Sequence, residues 1–429
     1  MFLIKFNEAN FDLIKKYTKK YPHLKAFNHI VSNFHEVNTM AEQKYENLEP
    51  WIQWTSFQTG LSYEEHKVFH LGESSTLINK GLFYDLAKTY KVGIFGLMNH
   101  PPIENATYYI PDPWSTYQSD PSLGSKSTQK VLKMLVNGNA MLKSPFKILK
   151  DFLIFFFSIR SSKKYKILFL SIKAFIKKDR ALLASYFDGL FLLFGITKHK
   201  SNKLDFSGLF MNGFAHVQHH YMLSSEFYPT SNPAWYVKKG TDPILKSLQV
   251  YDEIFQEVIK SKVQFSVITA LTQEPYKNPL IYWRFVDHHR LLKFYLDIDF
   301  ECVPRMTRDF HLIFNSVKDA QRAQDILKMI KIKNDKVVTD AFGYFDLNDK
   351  ELFLSFIYSS ENQDVQMTLN NTTVDLKNEI VFVAIKNGGH DARGWAYIPN
   401  NIPVNNIQDP IKIWNLGKFF YNYVSSSKS

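Results

Sequence analysis

The stretch EPWIQWTSFQTGLSYEEHKVF, residues 49–69, is the most specific local motif in the chain. It reaches Thr59 and Gly60 after a run of aromatic and hydroxyl side chains. Five residues separate Gly60 from His66, which is followed by Lys67. The stretch carries hydroxyl groups at Thr55, Ser56 and Thr59 ahead of this histidine.

On either side of this stretch, apolar strand-like runs alternate with amphipathic helix-like runs such as LQVYDEIFQEVIKSK. The strand-like runs are FLIKF at 2–6, VGIFGLM at 92–98, FSGLFMNG at 206–213, FSVITAL at 265–271 and IVFVAI at 380–385. Apolar strands that alternate with helices predict an α/β fold with a largely parallel sheet covered on both faces. Functional groups in such folds lie on loops at the carboxyl ends of the strands.

The composition excludes several classes of protein. A single cysteine, Cys302, rules out a disulfide framework and a cysteine-rich zinc site. The opening MFLIKF has none of the regions of a signal peptide, so we expect a cytoplasmic location, extending to the inner face of the membrane. The net charge of +11 favours anionic partners, and no motif indicates a specific nucleic acid.

Two segments interrupt the alternation of strands and helices. Residues 125–199 are helical, basic and strongly apolar, but charged residues interrupt every run before the roughly 18 apolar residues of a spanning helix. They are compatible with a helical cap over the sheet or with a basic surface in a membrane interface. Residues 276–379 indicate a small α+β insertion of ferredoxin-like type. The predicted core comprises residues 1–124, 200–275 and 380–429.

Residues 49–69 resemble the alkaline phosphatase superfamily, in its type I phosphodiesterase and nucleotide pyrophosphatase branch. In that family a helix opens with the nucleophile, ends in Thr-Gly and is followed after five residues by His-Gly. Further segments fall in the family's order, namely FLIKFNEANF, VGIFGLMNHPP, LFMNGFAHVQHHYM, FSVITALTQEP and GGHDARGWAYIPNN. The resemblance implies an alkaline-phosphatase-like sandwich with a central, mostly parallel sheet, a helical cap and the small insertion.

The same resemblance implies that the reactive residues have changed. In the family, two zinc ions held by Asp and His ligands activate a Thr or Ser nucleophile. The first metal-binding Asp and the Gly after it correspond here to Asn7 and Glu8. The nucleophile corresponds to Pro50, which has no hydroxyl group.

The remaining metal ligands of the family are also largely replaced. The Asp of its Asp-x-x-x-His motif falls on Ala215, while the histidine is retained as His219. Ala270 and Leu271 stand in place of the Asp-His pair after the fourth strand. The last ligand is present as His390. Two histidines therefore remain out of six expected ligands.

Polar groups nevertheless cluster at the same predicted strand ends, which keeps an enzyme hypothesis open. His219 and His390 are the candidate ligands of one zinc or manganese ion. Glu8 and Glu49 flank the former nucleophile position and are candidates for the general base or a replacement ligand. The alternative for both acids is helix capping, since negative charge is favoured in a first helical turn.

Other polar residues are candidates for substrate binding or catalysis. Asn7, Asn99, His216 and Gln273 are expected to contact the substrate. Thr55 is a candidate substitute nucleophile, although hydroxyl groups inside helices commonly bond back to the preceding turn.

The leading hypothesis is a divergent phosphodiesterase or phosphohydrolase that acts on an anionic, phosphate-bearing small molecule or glycan. A sugar nucleotide, a lipid-linked sugar and a surface-glycan phosphate are all compatible with it. The alternative is a pseudoenzyme that serves as a binding module in polysaccharide assembly, with peripheral contact with an anionic membrane.

Overall fold

The computed structural model describes residues 1–42, 44, 48–72, 74–137, 149–177, 179–228, 232–305, 308–333, 337–405 and 407–426. Its helices are α1 (Phe11–Lys20), α2 (Lys25–Asn33), α3 (Pro50–Thr59), α4 (Tyr63–His66), α5 (Leu82–Ala87), α6 (Leu123–Asn137), α7 (Leu149–Phe157), α8 (Lys163–Ile176), α9 (Arg180–Ser201), α10 (Gly213–Tyr221), α11 (Pro243–Lys260), α12 (His288–Leu292), α13 (Val317–Met329) and α14 (Ile413–Ser426). Its strands are β1 (Phe2–Phe6), β2 (Phe34–Met40), β3 (Val92–Leu97), β4 (Tyr108–Pro111), β5 (Phe206–Met211), β6 (Phe265–Ile268), β7 (Thr272–Phe285), β8 (Phe300–Pro304), β9 (Asp309–Phe314), β10 (Lys331–Lys333), β11 (Val338–Asp340), β12 (Phe342–Asn348), β13 (Glu351–Phe356), β14 (Gln366–Leu369), β15 (Thr372–Asp375), β16 (Ile380–Asp391), β17 (Arg393–Pro399) and β18 (Ile411–Lys412).

The described residues form two compact units. The first unit comprises Met1–Pro275 and Gly388–Ser429, and the second comprises Tyr276–Asn387. Strands β7 and β16 pair with each other and carry the chain into and out of the second unit.

The first unit is built on an eight-stranded sheet with the order β18-β2-β17-β6-β1-β5-β3-β4. Neighbouring strands are parallel from β6 through β1, β5 and β3 to β4. Strand β17 is antiparallel to both of its neighbours. Every residue of β1 is buried, as expected of a central strand in a parallel sheet. The predicted central, mostly parallel sheet is confirmed.

Helices cover both faces of this sheet. Successive side chains of a strand point to opposite faces, and β1 separates its apolar residues accordingly. Phe2, Ile4 and Phe6 lie in a cluster with side chains from α1, α9 and α11. Leu3 lies in a second cluster with side chains from α3, α5 and α14. The predicted α/β class with flanking helices is therefore confirmed.

The segment 125–199 contains most of α6 and all of α7, α8 and α9. Helix α9 lies directly on the sheet, because a Cβ atom on Gly195 would stand 2.5 Å from Leu209 in β5. Helices α7 and α8 instead expose several large apolar side chains. The role of the segment as a cap stays a prediction. Among the described residues, no helix is both long and apolar enough to cross a bilayer.

The second unit contains two antiparallel sheets with the orders β11-β10-β14-β15 and β12-β13-β9-β8. Helix α13 begins after Ser316, whose side chain accepts a hydrogen bond from the Asp319 amide. The sequence indicated a small α+β insertion of ferredoxin-like type over residues 276–379, and that assignment stays a prediction. The structure has two sheets, because the short apolar runs after α13 divide between separate antiparallel ladders.

Candidate metal centre

Three segments meet at the edge of the large sheet where its parallel strands end. Asn7 and Glu8 directly follow β1, and α10 begins directly after β5. Strand β17 runs in the opposite direction, so the residues just before it, including His390, reach the same edge. The carboxyl edge of a parallel sheet is where α/β proteins place their sites. Here it brings together Glu8, His219 and His390.

Both imidazoles approach one oxygen atom of Glu8. The Nε2 atom of His219 lies 2.9 Å from Glu8 Oε2, and the Nε2 atom of His390 lies 3.3 Å from the same oxygen. One donor atom from each of the three residues lies within 4.8 Å of the other two. The Glu8 side chain is 3% exposed, whereas those of His219 and His390 are 20% and 15% exposed. The carboxylate is thus the most deeply buried group of the cluster, and the two imidazoles lie between it and solvent.

Backbone carbonyl groups fix the orientation of both rings. His219 Nδ1 lies 3.2 Å from the Gly388 carbonyl oxygen, and His390 Nδ1 lies 2.9 Å from the Leu48 carbonyl oxygen. A carbonyl oxygen only accepts hydrogen bonds, so each Nδ1 carries the proton in these contacts. The Nε2 atoms are therefore directed at Glu8.

Three amide side chains hold Glu8 in place. Gln273 Nε2 donates to Glu8 Oε2 at 2.5 Å, and Asn7 Nδ2 donates to Glu8 Oε1 at 2.8 Å. Gln218 Nε2 donates to the Glu8 main-chain carbonyl at 2.6 Å. The position of the carboxylate is therefore determined by Asn7, which follows β1, and by groups from α10 and β7.

The backbone of Glu8 is strained. Its φ angle is +55°, in the left-handed region that costs a residue with a Cβ atom about 1–2 kcal/mol. Strain of this kind persists where the surrounding structure imposes it, and it is concentrated at functional sites. The fixed amide contacts of Glu8 supply that constraint.

Glu8 is ionised despite its burial. Burial raises the pKa of the carboxyl group, but the charges and hydrogen bonds of His219 and His390 together outweigh it. The pKa of Glu8 consequently lies well below its usual value. The cluster therefore offers one anionic oxygen beside two imidazole nitrogens.

Gly388 leaves no room for a side chain beside this cluster. A Cβ atom there would lie 2.4 Å from Gln273 Oε1 and 3.1 Å from the Gln218 carbonyl oxygen. Gln273 is completely buried and cannot swing away into solvent. Glycine at this position therefore allows the Gln273 and His219 contacts to exist together.

A buried acid anchors the helix that carries His219. Asp188 in α9 accepts hydrogen bonds from the Gly213 amide and the Tyr251 hydroxyl group, both at 2.7 Å. A Cβ atom on Gly213 would lie 2.7 Å from the main chain of Ala184, so α9 and α10 touch at this point. Burial raises the pKa of Asp188 to about 7. The contact fixes the first turn of α10 and so the direction in which His219 points.

Three of the residues predicted to bind substrate or to act in catalysis form hydrogen bonds within the protein. Asn7 bonds to Asn212 and to the Trp54 indole in addition to Glu8. Asn99 bonds through its side chain to the His70 carbonyl and the Gly72 amide. The Thr55 hydroxyl group donates to the Trp51 carbonyl oxygen at 2.7 Å. These side chains are buried, and their observed contacts are structural.

The other predicted residues are arranged differently. Gln273 is buried beneath Glu8, so the structure gives it a positioning contact where the sequence indicated substrate binding. His216 is exposed on α10 and stacks against His220, with ring centroids 6.3 Å apart. Glu49 Oε2 lies 3.6 Å from His390 Nδ1, and the Glu49 side chain is 35% exposed. The substrate role of His216 and the catalytic role of Glu49 stay predictions.

Sequence reasoning missed part of the network under the cluster. Asn10 caps α1 by accepting from the Leu13 amide, and it also donates to the Gln273 carbonyl oxygen. Gln218 accepts from the Asn10 amide in addition to its bond to Glu8. An asparagine before a helix is a recognisable capping signal, but its second contact joins residues 263 positions apart. That contact has no local signature.

His66, the histidine of the opening motif, has a structural role. Its Nδ1 accepts from the Val68 amide at 3.0 Å, and its Nε2 lies 3.0 Å from Ser56 Oγ. Burial lowers the pKa of His66 to about 4, so the ring is neutral near pH 7. The histidine joins the loop after α3 to the helix itself.

The donor set fits one divalent metal ion. Two imidazoles and one carboxylate form a usual set for catalytic zinc, which leaves a position for water or substrate. Ligands about 2.0–2.1 Å from a tetrahedral zinc ion stand about 3.4 Å apart, close to the separations between Glu8 and the two imidazoles. Metal-bound histidines usually donate their other ring N–H to a carbonyl or a carboxylate, as His219 and His390 do here.

The fold and the cluster define an α/β chain with a histidine–carboxylate centre at the carboxyl edge of a mostly parallel sheet. Neither a protein-family model nor a curated protein sequence matches the chain.

Several solved structures match the chain along almost its whole length. Murine ectonucleotide pyrophosphatase/phosphodiesterase 5 matches with a TM-score of 0.44 and 11% identity, over 99% of this chain and 95% of that one. Phosphonoacetate hydrolase from Sinorhizobium meliloti 1021 matches with a TM-score of 0.43 and 11% identity, over 99% and 95%. Wild-type alkaline phosphatase PafA matches with a TM-score of 0.41 and 12% identity, over 97% and 94%. These TM-scores lie below 0.5, so the fold is assigned from the strand order of this chain and not from the matches.

Proposed function

We propose that Glu8, His219 and His390 bind one divalent metal ion, zinc or manganese, and that the chain is a phosphoester hydrolase. The observation that carries the proposal is the convergence of two carbonyl-oriented Nε2 atoms on one buried carboxylate oxygen. The substrate would be an anionic, phosphate-bearing small molecule or glycan.

Each side chain of the site has a distinct proposed role in hydrolysis. A bound divalent ion lowers the pKa of a coordinated water molecule and stabilises negative charge on phosphoryl oxygens. Glu8 supplies the negative charge, and the two imidazoles supply neutral donors once their Nε2 protons have been released to solvent on metal binding. Glu49 is the candidate base, since its Oε2 lies at the outer side of His390 and its side chain reaches solvent.

The start of α3 supports water as the nucleophile. Pro50 is the first residue of this helix and has no hydroxyl group. The hydroxyl groups of Thr55 and Thr59 donate to carbonyl oxygens one turn earlier in the same helix. A covalent intermediate on either hydroxyl would require breaking its helical bond, whereas water requires no such rearrangement.

The substrate class remains part of the proposal. A sugar nucleotide, a lipid-linked sugar and a surface-glycan phosphate all present a phosphate ester to such a centre. The net charge of +11 favours an anionic ligand of this kind.

Metal titration by calorimetry tests the centre without relying on activity. Zinc and manganese should each bind the wild-type chain with one ion per molecule. His219→Ala and His390→Ala should each weaken binding by at least about 100-fold, the upper end of the cost of losing a residue that only orients a ligand, because each removes one donor of three. His216→Ala is the matched control, since His216 lies exposed on the same helix as His219. Unchanged affinity in both cluster variants would eliminate the metal site.

The second candidate is a non-catalytic binding module, which the loss of a nucleophile at Pro50 favours. It predicts metal binding and ligand binding without turnover. Phosphodiesters and sugar nucleotides should then remain intact after incubation with the chain and added zinc, manganese or magnesium. Hydrolysis that is lost in His219→Ala would decide for the enzyme.

A further inference from the structure

Apolar exposure is concentrated on two consecutive helices, α7 and α8. Eight of the twenty large hydrophobic side chains that are exposed among the described residues lie here, with exposures between 42% and 73%. They form the α7–α8 surface, made of Leu149, Leu153, Phe157, Tyr165, Phe169, Ile172, Phe175 and Ile176. Exposed apolar area of this density marks an interaction site.

The side chains are aligned along each helix. In α7 they are spaced four residues apart, at Leu149, Leu153 and Phe157. In α8, four of them fall within an arc of about 60° at 3.6 residues per turn, namely Tyr165, Phe169, Ile172 and Ile176. The opposite side of α8 is buried, with Ile167 and Ala174 against the protein. Each helix thus presents a stripe to solvent.

The two stripes meet at the turn between the helices. Lys164 Nζ donates to the Phe156 and Ile159 carbonyl oxygens at 3.1 Å and 2.6 Å, which closes the end of α7. The same Nζ lies 5.4 Å from the Phe157 ring centroid and 5.3 Å from that of Tyr165. The last side chain of one stripe therefore adjoins the first of the other.

Basic residues border the apolar stripe of α8. Lys173 and Lys177 lie on one side of it, about 80–120° around the helix from Tyr165, and Lys166 on the same side is paired with Glu253 at 2.7 Å. Residues 149–177 contain seven basic residues and one acid, Asp151. Asp151 is turned inwards, where it bonds to Ser127 and its side chain is 16% exposed. The border of the surface is therefore cationic.

We infer that the α7–α8 surface docks onto an anionic phospholipid membrane. Helices with an apolar stripe beside lysines lie in the plane of the interface, with the apolar side chains at the acyl boundary and the lysines among the headgroup phosphates. A second copy of this chain fits less well, because a two-fold contact through the same surface would bring the two lysine borders together. The inference does not depend on the metal centre.

Vesicle co-sedimentation tests the inference with the full chain. The wild type should pellet with phosphatidylcholine vesicles that contain phosphatidylglycerol, should pellet much less with phosphatidylcholine alone, and should be released by added salt. The double variant Phe169→Glu/Ile172→Glu should bind the anionic vesicles at least tenfold more weakly. The double variant Lys173→Gln/Lys177→Gln should lose about fivefold for each lysine.

The control places the same substitution elsewhere. Phe294 is 54% exposed, and Phe294→Glu should bind vesicles like the wild type. Wild-type chain that stays in the supernatant with anionic vesicles at low salt would overturn the inference. So would equal loss of binding in Phe294→Glu and in Phe169→Glu/Ile172→Glu. A dimer in sedimentation velocity that only Phe169→Glu/Ile172→Glu dissociates, without vesicle binding, would assign the surface to self-association instead.

Discussion

Lys5 lies in β1 and Glu8 follows that strand three residues later. Both are buried ionisable side chains, but their environments contrast. Lys5 Nζ donates to Gln58 Oε1 at 3.0 Å and lies over the rings of Trp54 and Phe57, 4.8 Å and 4.7 Å from their centroids. Burial lowers the pKa of this lysine well below its usual value. Glu8 instead faces two imidazoles.

The two environments differ in whether the groups around the charged side chain can bind and release a proton or a metal ion. The amide oxygen and the aromatic rings around Lys5 neither titrate nor bind metal ions. They hold Lys5 as part of the packing between β1 and α3. Imidazole nitrogens can pass from binding a proton to binding a metal ion without moving far. The surroundings of Glu8 are therefore suited to function, and those of Lys5 to structure.

The largest expected effect that separates the two environments is that of Glu8→Gln. Glutamine keeps the shape of the side chain and removes its charge, so zinc affinity should fall by on the order of 100-fold, about 2.8 kcal/mol. Calorimetric titration measures the change. Lys5→Met is the control and should bind zinc like the wild type. Equal affinity in Glu8→Gln and the wild type would place the metal elsewhere.

Gly388→Ala tests whether the contacts around Glu8 and His219 are needed for metal binding. The added Cβ atom would displace Gln273 and shift the carbonyl that orients His219, so zinc affinity should fall by about 10-fold or more. Calorimetry measures this change as well, with circular dichroism to verify the fold. A folded variant with full affinity would show that the carbonyl contact of His219 is dispensable.

Lys5→Met tests the structural environment through its pH dependence. Because the folded-state pKa of Lys5 is lowered, the unfolded chain binds more protons between that pKa and about 10.4. Wild-type stability should therefore gain a contribution as pH rises through this range and lose it as pH falls. In Lys5→Met this pH-dependent contribution disappears, so the variant no longer carries the cost of deprotonating Lys5 at neutral pH. The lost hydrogen bond to Gln58 opposes this gain by about 1 kcal/mol at every pH.

Urea denaturation near neutral pH and at about pH 9.5 compares the two chains. A wild-type midpoint that shifts with pH by the same amount as that of Lys5→Met would show that Lys5 is protonated normally in the folded chain.

Thr55→Val has the smallest expected effect. The hydroxyl group of Thr55 bonds only one turn back along α3, so its removal should change stability by less than about 1 kcal/mol and leave zinc affinity unchanged. Calorimetry and urea denaturation measure both quantities. Loss of phosphoester hydrolysis in a variant with normal stability would instead identify Thr55 as a catalytic group.

The sheet and the main components of the centre could be predicted from the sequence. Apolar runs such as FLIKF and FSGLFMNG are strong signals for buried parallel strands, and polar residues after them indicate the functional edge. This reasoning selected Glu8, His219 and His390, which the structure brings together. Their role in metal binding stays a prediction.

The sequence could not predict which polar residues form the cluster of Glu8, His219 and His390 and which only hold the surrounding structure in place. Asn7 and Asn99 also follow strands, but their amides satisfy neighbouring backbone and side-chain groups. Gln273 bonds to Glu8 across 265 positions of sequence, and no local pattern announces such a contact. A polar residue at a strand end serves either purpose, and only the tertiary contacts distinguish them.

The left-handed backbone of Glu8 has an evolutionary consequence. Glycine adopts that conformation without steric cost, so a lineage that stopped using the centre would relieve its main chain by drifting to glycine at position 8. Glycine there, with a residue other than aspartate at position 7 and a substitution at 219 or 390, would mark related chains in which the centre has been abandoned. Glutamate kept beside both histidines would mark those in which selection still maintains it.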